Sequence, residues 1–236
     1  MDDSDFDRAL IASAFDLAAR HGWRGVSVIE AARVAGLQPS RARARFPGRA
    51  AILLRLGVFA DQAALDQPAD GPVRDRLFDM IMRRFDMLEA HRAGVLALLD
   101  ALPTEPGTAL LLANATRRSM RWLLESAGFD THGVTGELHT KGLLGVWLWT
   151  LRAWRHDESA DMAATMSALD HALKRAEQVA RWFPSALRTA TTAHAAEPGP
   201  EPASSSADLT PAPPAALSPE PPIDMPPEPP PSPPRE

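Results

Sequence analysis

ALIASAFDLAARHGWRGVSVIEAARVAGLQPSRARARFPGRAAILLRL, residues 9–56, decides the fold, because its apolar residues recur at helical spacing and glycine interrupts them twice. Phe6, Leu10, Ala14, Leu17 and Ala18 mark one face of a first helix that stops at His21-Gly22, where glycine adopts the left-handed cap. A second helix, over 28–35, follows Ser27 as N-cap and ends at Gly36. The third is very short and is bracketed by Pro39 and Pro47. It carries Arg41, Arg43 and Arg45, with Arg49 just beyond. A strand would put the three arginines on one face, but alanine is a poor strand former and helices precede and follow. A helix puts Arg41 and Arg45 one turn apart and Arg43 on another side, with only Ala42 and Phe46 as an apolar anchor. A helix anchored so narrowly protrudes from its domain, as entry into a major groove requires.

Charge is distributed to suit that reading. The 236-residue chain has a formal net charge of −5, yet residues 190–236 hold seven acids and one base, and the remainder is near neutral. Residues 8–60 carry nine arginines against Asp16 and Glu30, so one end is basic and suits a polyanion. Arginine outnumbers lysine 23 to two, a bias that explains the residue type but not its clustering. The chain has no cysteine, which removes disulfides, thiolate metal sites and thiol nucleophiles and fits a reducing cytoplasm. The start, MDDSDFD, is acidic where a secretory signal would be basic, and the longest apolar run, GLLGVWLWTL (142–151), is too short to span a bilayer. A cytoplasmic protein without stable membrane insertion is expected.

Helical periodicity continues beyond the quoted stretch, so the fold class is all-α with about nine helices, the later ones over 48–65, 72–90, 91–102, 106–127, 134–156 and 158–183. Punctuation such as DQPADGP and PTEPG separates them. From about Ala190 the composition changes, and 16 of the 23 prolines fall in a segment too poor in large apolar residues to fold alone. The expected organisation is a short helical domain over 1–50, a larger helical domain over 51–189, and a proline-rich acidic tail over 190–236.

The stretch 9–56 resembles, without a gap, the N-terminal helix-turn-helix domain of TetR-family transcriptional regulators. The likeness rests on the amphipathic first helix, His21-Gly22-Trp23, Ser27-Val28, Ala32, Ala35-Gly36, and Phe46-Pro47 before Arg49. It implies a DNA-binding, ligand-responsive repressor that acts as a homodimer on double-stranded DNA, with 1–50 as its helix-turn-helix domain and 51–189 as its effector-binding and dimerisation domain. Where the family commonly has Thr-Leu-Tyr-x-His-Phe, this chain reads Ser40-Arg41-Ala42-Arg43-Ala44-Arg45-Phe46. By that alignment Arg43 and Arg45 take over phosphate contacts. Arg41 and Gln38 fall nearer base edges, and an arginine fork suits guanine O6 and N7. Arg49 clamps a phosphate, and Ser27 and Ser40 complete the DNA-binding set.

In the second half, Leu143, Trp147, Thr150 and Trp154 form one stripe of the eighth helix, and Leu144, Leu148 and Leu151 form another, so both sides need cover. One cover is the chain itself. The other is a partner subunit, with the ninth helix supplying Met162, Met166, Leu169, Leu173, Ala176 and Ala180 at helical spacing. The dimer interface is therefore expected at Leu144, Leu148, Leu151, Met166, Leu169 and Leu173. An apolar interior around Met120, Trp122, Leu143 and Trp147, with Arg118 or His139 orienting a polar head group, would suit a hydrophobic small-molecule effector.

No GxxxxGK loop, GxGxxG turn or GxSxG elbow occurs, and His132, Glu137, His139, His156 and Asp157 lack paired ligand spacing, so no enzyme, metal or cofactor is expected. A second resemblance crosses function classes. AHRAGVLALL (90–99) and WRHDESADMAATMSALDHALKRAEQV (154–179) are similar to the TetR-fold lipid-binding accessory proteins of ubiquinone biosynthesis, with Trp154, Asp157, Ser159 and Asp161 on their Trp-x-x-Asp-x-Ser-x-Asp-like segment. A third reading is a helical scaffold that uses its tail as bait.

Overall fold

Asp2 opens the first helix by accepting the backbone N–H of Asp5 at 2.7 Å, which starts it three residues before the first apolar marker. The structure, a computed structural model, describes residues 1–66 and 71–194, with side chains to 180. In order these form α1 (Asp3–His21), α2 (Val28–Val34), α3 (Pro39–Arg45), α4 (Arg49–Leu65), α5 (Val73–Glu89), α6 (Arg92–Ala101), α7 (Pro106–Ser126), α8 (Gly133–Arg155) and α9 (Ala163–His194). Among the described residues there is no strand, and the all-α reading holds. Residues Met1–Thr191 form one compact unit, and α4 packs on α1 as well as on α5 and α7. The proline-rich segment from 195 onward lies outside the described residues.

Glycine sets the turn between α2 and α3. Gly36 has φ +66°, its N–H reaches the Arg33 carbonyl, and the N–H of Leu37 reaches back to the Ala32 carbonyl at 2.8 Å. This is the paired closure of a left-handed helix end, sealed by the buried Leu37 side chain. It aims α3 away from α2 within two residues. Only Ala42 of α3 is fully buried, with Phe46 just after it.

The ninth helix departs from expectation at both ends. It begins at Ala163 and not at 158, because the Asp157 carboxylate nucleates a turn first. That carboxylate accepts the N–H of Ser159 at 3.1 Å, the Ser159 hydroxyl, and both the N–H and hydroxyl of Thr165 at 2.7 Å. Burial pushes Asp157 up, but these bonds outweigh it and hold the carboxyl at about 2. Met162, expected within the helix, sits just before it with φ +54°. At the other end α9 runs to His194, beyond the end expected for this helix at 183.

Trp154, fully buried near the end of α8, joins three elements. Its Nε1–H donates to Glu89 at 2.7 Å, the Arg92 guanidinium lies 4.7 Å from its ring centroid, and Arg92 also donates to the carbonyls of Trp154 and Asp157. The Trp154–Asp157–Ser159 segment is thus a structural joint between α8, α9 and the α5–α6 corner.

The backbones of α1 and α6 come close at Gly94. A Cβ added there would lie 2.3 Å from the Phe15 carbonyl oxygen, well inside contact distance and against backbone that cannot rotate away. His91, one turn earlier, stacks on the Phe15 ring at 5.6 Å. Gly94→Ala should therefore push α6 off α1 and destabilise the protein by about 2–3 kcal/mol through overpacking, read as a lowered urea midpoint. An unchanged midpoint would show that the two helices separate freely.

Candidate nucleic-acid interface

The two inner arginines of α3 turn toward α1 and find a matched pair of acids. Asp3 and Asp7 stand one turn apart on α1, as Arg41 and Arg45 do on α3. Arg41 donates to Asp3 at 2.5 Å and lies 4.4 Å from the Phe6 ring centroid. Arg45 grips the Asp7 carboxylate with two bonds, Nε to Oδ1 at 2.7 Å and one terminal nitrogen to Oδ2 at 2.8 Å, while its other terminal nitrogen meets Asp3 at 2.7 Å. Arg55 of α4 reaches the same Asp7 at 2.7 Å. Asp7 is only 1% exposed, so a buried carboxylate organises α1, α3 and α4 together. The bond from Asp7, which prevails over desolvation, raises the Arg45 guanidinium above its already high range, and the bond from Arg41 holds the exposed Asp3 carboxyl below its own.

What α3 leaves to solvent is a different face. Ser40, Arg43 and Ala44 are exposed, as are Gln38 before the helix and Pro47 after it. Arg43 donates to the Pro47 carbonyl at 2.6 Å and has no carboxylate partner among the described residues. Ser27 is exposed, and its hydroxyl makes no capping bond to α2. Of the expected DNA-binding residues, Ser27, Gln38, Ser40 and Arg43 present free polar atoms outward. Arg41 and Arg45 reach sideways into the α1 acids.

Arg49, the first residue of α4, is tied from the other side. It donates to the Glu105 carboxylate at 2.9 Å and to the Arg24 carbonyl at 3.0 Å, and Arg24 also approaches Glu105, at 3.5 Å. Glu105 is 9% exposed, immediately precedes α7, and accepts the Thr108 hydroxyl at 2.9 Å. The expected phosphate clamp is therefore bonded to the start of α7. Asp3, Asp7, Glu105, Arg24 and Arg55 were not among the residues singled out from the sequence. The signal for the first two was present, since acids at 3 and 7 share the four-residue spacing of Arg41 and Arg45.

Further into the chain, α4 to α8 line a partly open cavity of about 230 Å³. It is lined by Leu53, Leu56, Gly57 and Ala60 from α4, Arg84 and Leu88 from α5, Val95, Leu98 and Leu99 from α6, Leu102 after it, Ala109, Leu112, Ala113 and Thr116 from α7, and Leu144, Trp147, Leu148 and Leu151 from α8. Of the expected pocket residues only Trp147 lines it. Met120 and Leu143 are spent in close packing at 0% and 4% exposure, Trp122 is 52% exposed on the outer side of α7, and Arg118 is exposed as well. His139 packs edge-on against Phe129 at 5.2 Å. The cause is a rotation of the assignment about α8. Its Leu144, Leu148 and Leu151 stripe, expected at the subunit interface, faces the cavity, although Leu148 remains 54% exposed. On α9, Leu169 and Leu173 have 0% and 4% exposure within the chain and retain almost no surface for a partner, whereas Met166 is half-buried.

No three His, Asp or Glu residues among the described residues are placed to hold a metal ion, and no single helix among them is long and apolar enough to cross a membrane. No family model matches the chain, and no curated protein matches it. Solved structures do. A TetR transcriptional regulator from Nitrosomonas europaea ATCC 19718 is 20% identical with a TM-score of 0.61, over 74% of this chain and 99% of that one. A TetR-family transcriptional regulator from Streptomyces coelicolor is 23% identical with a TM-score of 0.58, over 84% of this chain and 92% of that one. The chain has the fold of these proteins.

Proposed function

We propose that this chain is a DNA-binding transcriptional regulator of the TetR type, acting as a homodimer whose hold on double-stranded DNA responds to a ligand in the α4–α8 cavity. The carrying observation is the outward face of α3, where Ser40 and Arg43 stand exposed on a short helix held to its domain by Ala42 and Phe46. The neighbours' names as regulators point the same way, and favour this reading over lipid delivery. In this arrangement Arg43 and Ser40 reach base edges, and Ser27, Gln38 and Arg49 meet phosphates. The base-edge role expected for Arg41 thereby passes to Arg43, and Gln38 moves from base edge to phosphate. The subunit contact is assigned to the outer side of α8, away from the cavity, where Trp149 is 59% exposed.

Glu105 supplies the coupling. It binds Arg49 at the base of the DNA-binding segment, and Ala109, one turn further along α7, lines the cavity. A ligand that shifts α7 moves Glu105 and so repositions Arg49 against its phosphate. Two states that differ at this one carboxylate meet the minimum requirement for linkage between the sites.

Binding to genomic DNA fragments, measured by fluorescence anisotropy against salt, tests the proposal. Affinity should fall with a log–log slope of about −0.9 for each phosphate neutralised. Arg43→Ala should relax sequence preference by about 1–3 kcal/mol, with non-specific binding less affected. A chain that retains no genomic fragment at about 50 mM salt, where phosphate contacts are strong, would overturn the regulator reading.

A further inference from the structure

Phe59 of α4 is 6% exposed, and two guanidiniums lie over its ring: Arg8 of α1 at 5.1 Å and Arg55 of α4 at 5.0 Å from the centroid. Attraction to a ring fixes a guanidinium without a carboxylate to neutralise it. The donors here are largely unspent. Arg55 gives its Nε–H to Asp7 at 2.7 Å, but its terminal nitrogens bond no group among the described residues, and Arg8 has no hydrogen bond or ion pair among them. Arg8 is exposed and the Arg55 side chain is 36% exposed, so both cations meet solvent. Charge does not balance at this seam between α1 and α4. Arg41, Arg45 and Arg55 share the carboxylates of Asp3 and Asp7, and Arg8 adds a fourth cation with no acid of its own. Two like charges held over one ring repel, a cost that an anion beside them removes.

Resting on the regulator reading, we propose that Arg8 and Arg55 form a further phosphate contact on the α1–α4 seam, taking phosphodiesters of the duplex backbone beyond those met at α3. Two observations favour DNA as the occupant. The seam is continuous with the end of α3, since Arg45 and Phe46 line the same shallow groove as Arg55, Leu54 and Val58. Asp7 also ties the two together, binding Arg45 of α3 through both oxygens and Arg55 of α4 through one of them. A buried carboxylate that holds both arginines sets the spacing between α3 and the seam, as a backbone contact that fixes register requires. Arginine suits the task, because its fork of N–H donors matches a phosphate and keeps its charge at any working pH.

Fluorescence anisotropy with a mixed-sequence duplex of about 30 base pairs, titrated at several salt concentrations, tests the inference. Arg8→Gln and Arg55→Gln each remove one charge per chain, and Arg175→Gln removes the same charge from an exposed position on α9, a helix that carries no part of the seam. In a dimer each seam variant should flatten the log–log slope by about 1.8, twice the 0.9 per phosphate, and the double variant by about 3.6. The slope of Arg175→Gln should match wild type. Phe59→Leu, which keeps every charge but removes the ring, should weaken binding about threefold. Arg8→Gln breaks no bond within the described residues, so it carries the test even where Arg55→Gln, which takes a partner from Asp7, loosens the fold by circular dichroism. A slope change in Arg8→Gln no greater than that in Arg175→Gln would overturn the inference and leave the regulator reading in place, whereas a wild type that retains no duplex would overturn both. Loss of binding to phosphatidylglycerol vesicles in the seam variants, with the DNA slope unaltered, would assign the pair to a lipid surface and equally overturn it.

Discussion

Arg84→Met should lower the stability of the protein by about 3–5 kcal/mol, the cost of leaving one member of a buried ion pair without its partner. The side chains of Arg84 and Asp61 are 6% and 15% exposed, so neither charge reaches bulk water easily. Burial pulls the Arg84 guanidinium down to about 10, yet at pH 7 it still carries its charge and depends on Asp61. Asp61→Leu alone should be similarly costly, because the cation then loses its counter-charge and Ser119 loses its acceptor. The double variant should recover most of the loss, since exchanging a buried pair for apolar groups of like size is often neutral. The coupling free energy from such a cycle, measured by urea denaturation, should therefore be large and positive for the pair. Additive single effects would mean that the two groups act independently and that the cavity wall is less polarised than its geometry indicates.

Elements driven by local chemistry were legible in the sequence. The first three helices follow from an amphipathic stripe ended by Gly22, a turn closed by Gly36, and a short segment between two prolines, and each falls within a few residues of expectation. Helix orientation was less legible. The α8 helix carries apolar residues all round, and periodicity alone does not say which stripe faces the cavity and which faces outward. The sequence reading placed Leu144, Leu148 and Leu151 outside, whereas five helices converge to place all three on the cavity wall. Arg84 was missed for a related reason. An arginine inside RLFDMIMRRFDML reads as a solvated position, and only the approach of Asp61 from α4 and Ser119 from α7 makes its burial affordable. Glu105 was hidden because its partners, Arg24 and Arg49, come from a segment more than fifty residues away. The α3 arginines were recognised as a group, but their division between the α1 acids and solvent depends on how α3 crosses α1.

That division leads to the last expected result: removing Asp3 should strengthen DNA binding. Asp3 competes with phosphate for Arg41 and for one terminal nitrogen of Arg45, and it adds a negative charge beside the surface assigned to a polyanion. Asp3→Ala frees Arg41, while Asp7 still grips Arg45 and keeps α3 seated. If each freed Arg41 reaches one phosphate, a dimer gains two contacts and its salt slope should steepen by about 1.8, twice the 0.9 per phosphate. Affinity at low salt should rise at least tenfold, about 1.4 kcal/mol. The fold should tolerate the change, because the Asp3 side chain is 65% exposed and its remaining contribution is that of an acid in the first turn of α1. Asp3 has its carboxyl held below the ordinary carboxylate range, so its clamp is fully charged above the unfolded value of 3.8 and is lost only as pH falls through the lower folded value. The gain in DNA affinity should therefore be the same at pH 6 and pH 8 and should diminish with salt. Asp7→Ala should behave in the opposite way, since it removes the buried acceptor of both Arg45 and Arg55 and loosens α3 from α1 and α4. Equal DNA affinity and equal salt slope for wild type and Asp3→Ala would place Arg41 outside the DNA contact, and would leave Arg43 as the one α3 arginine facing the duplex.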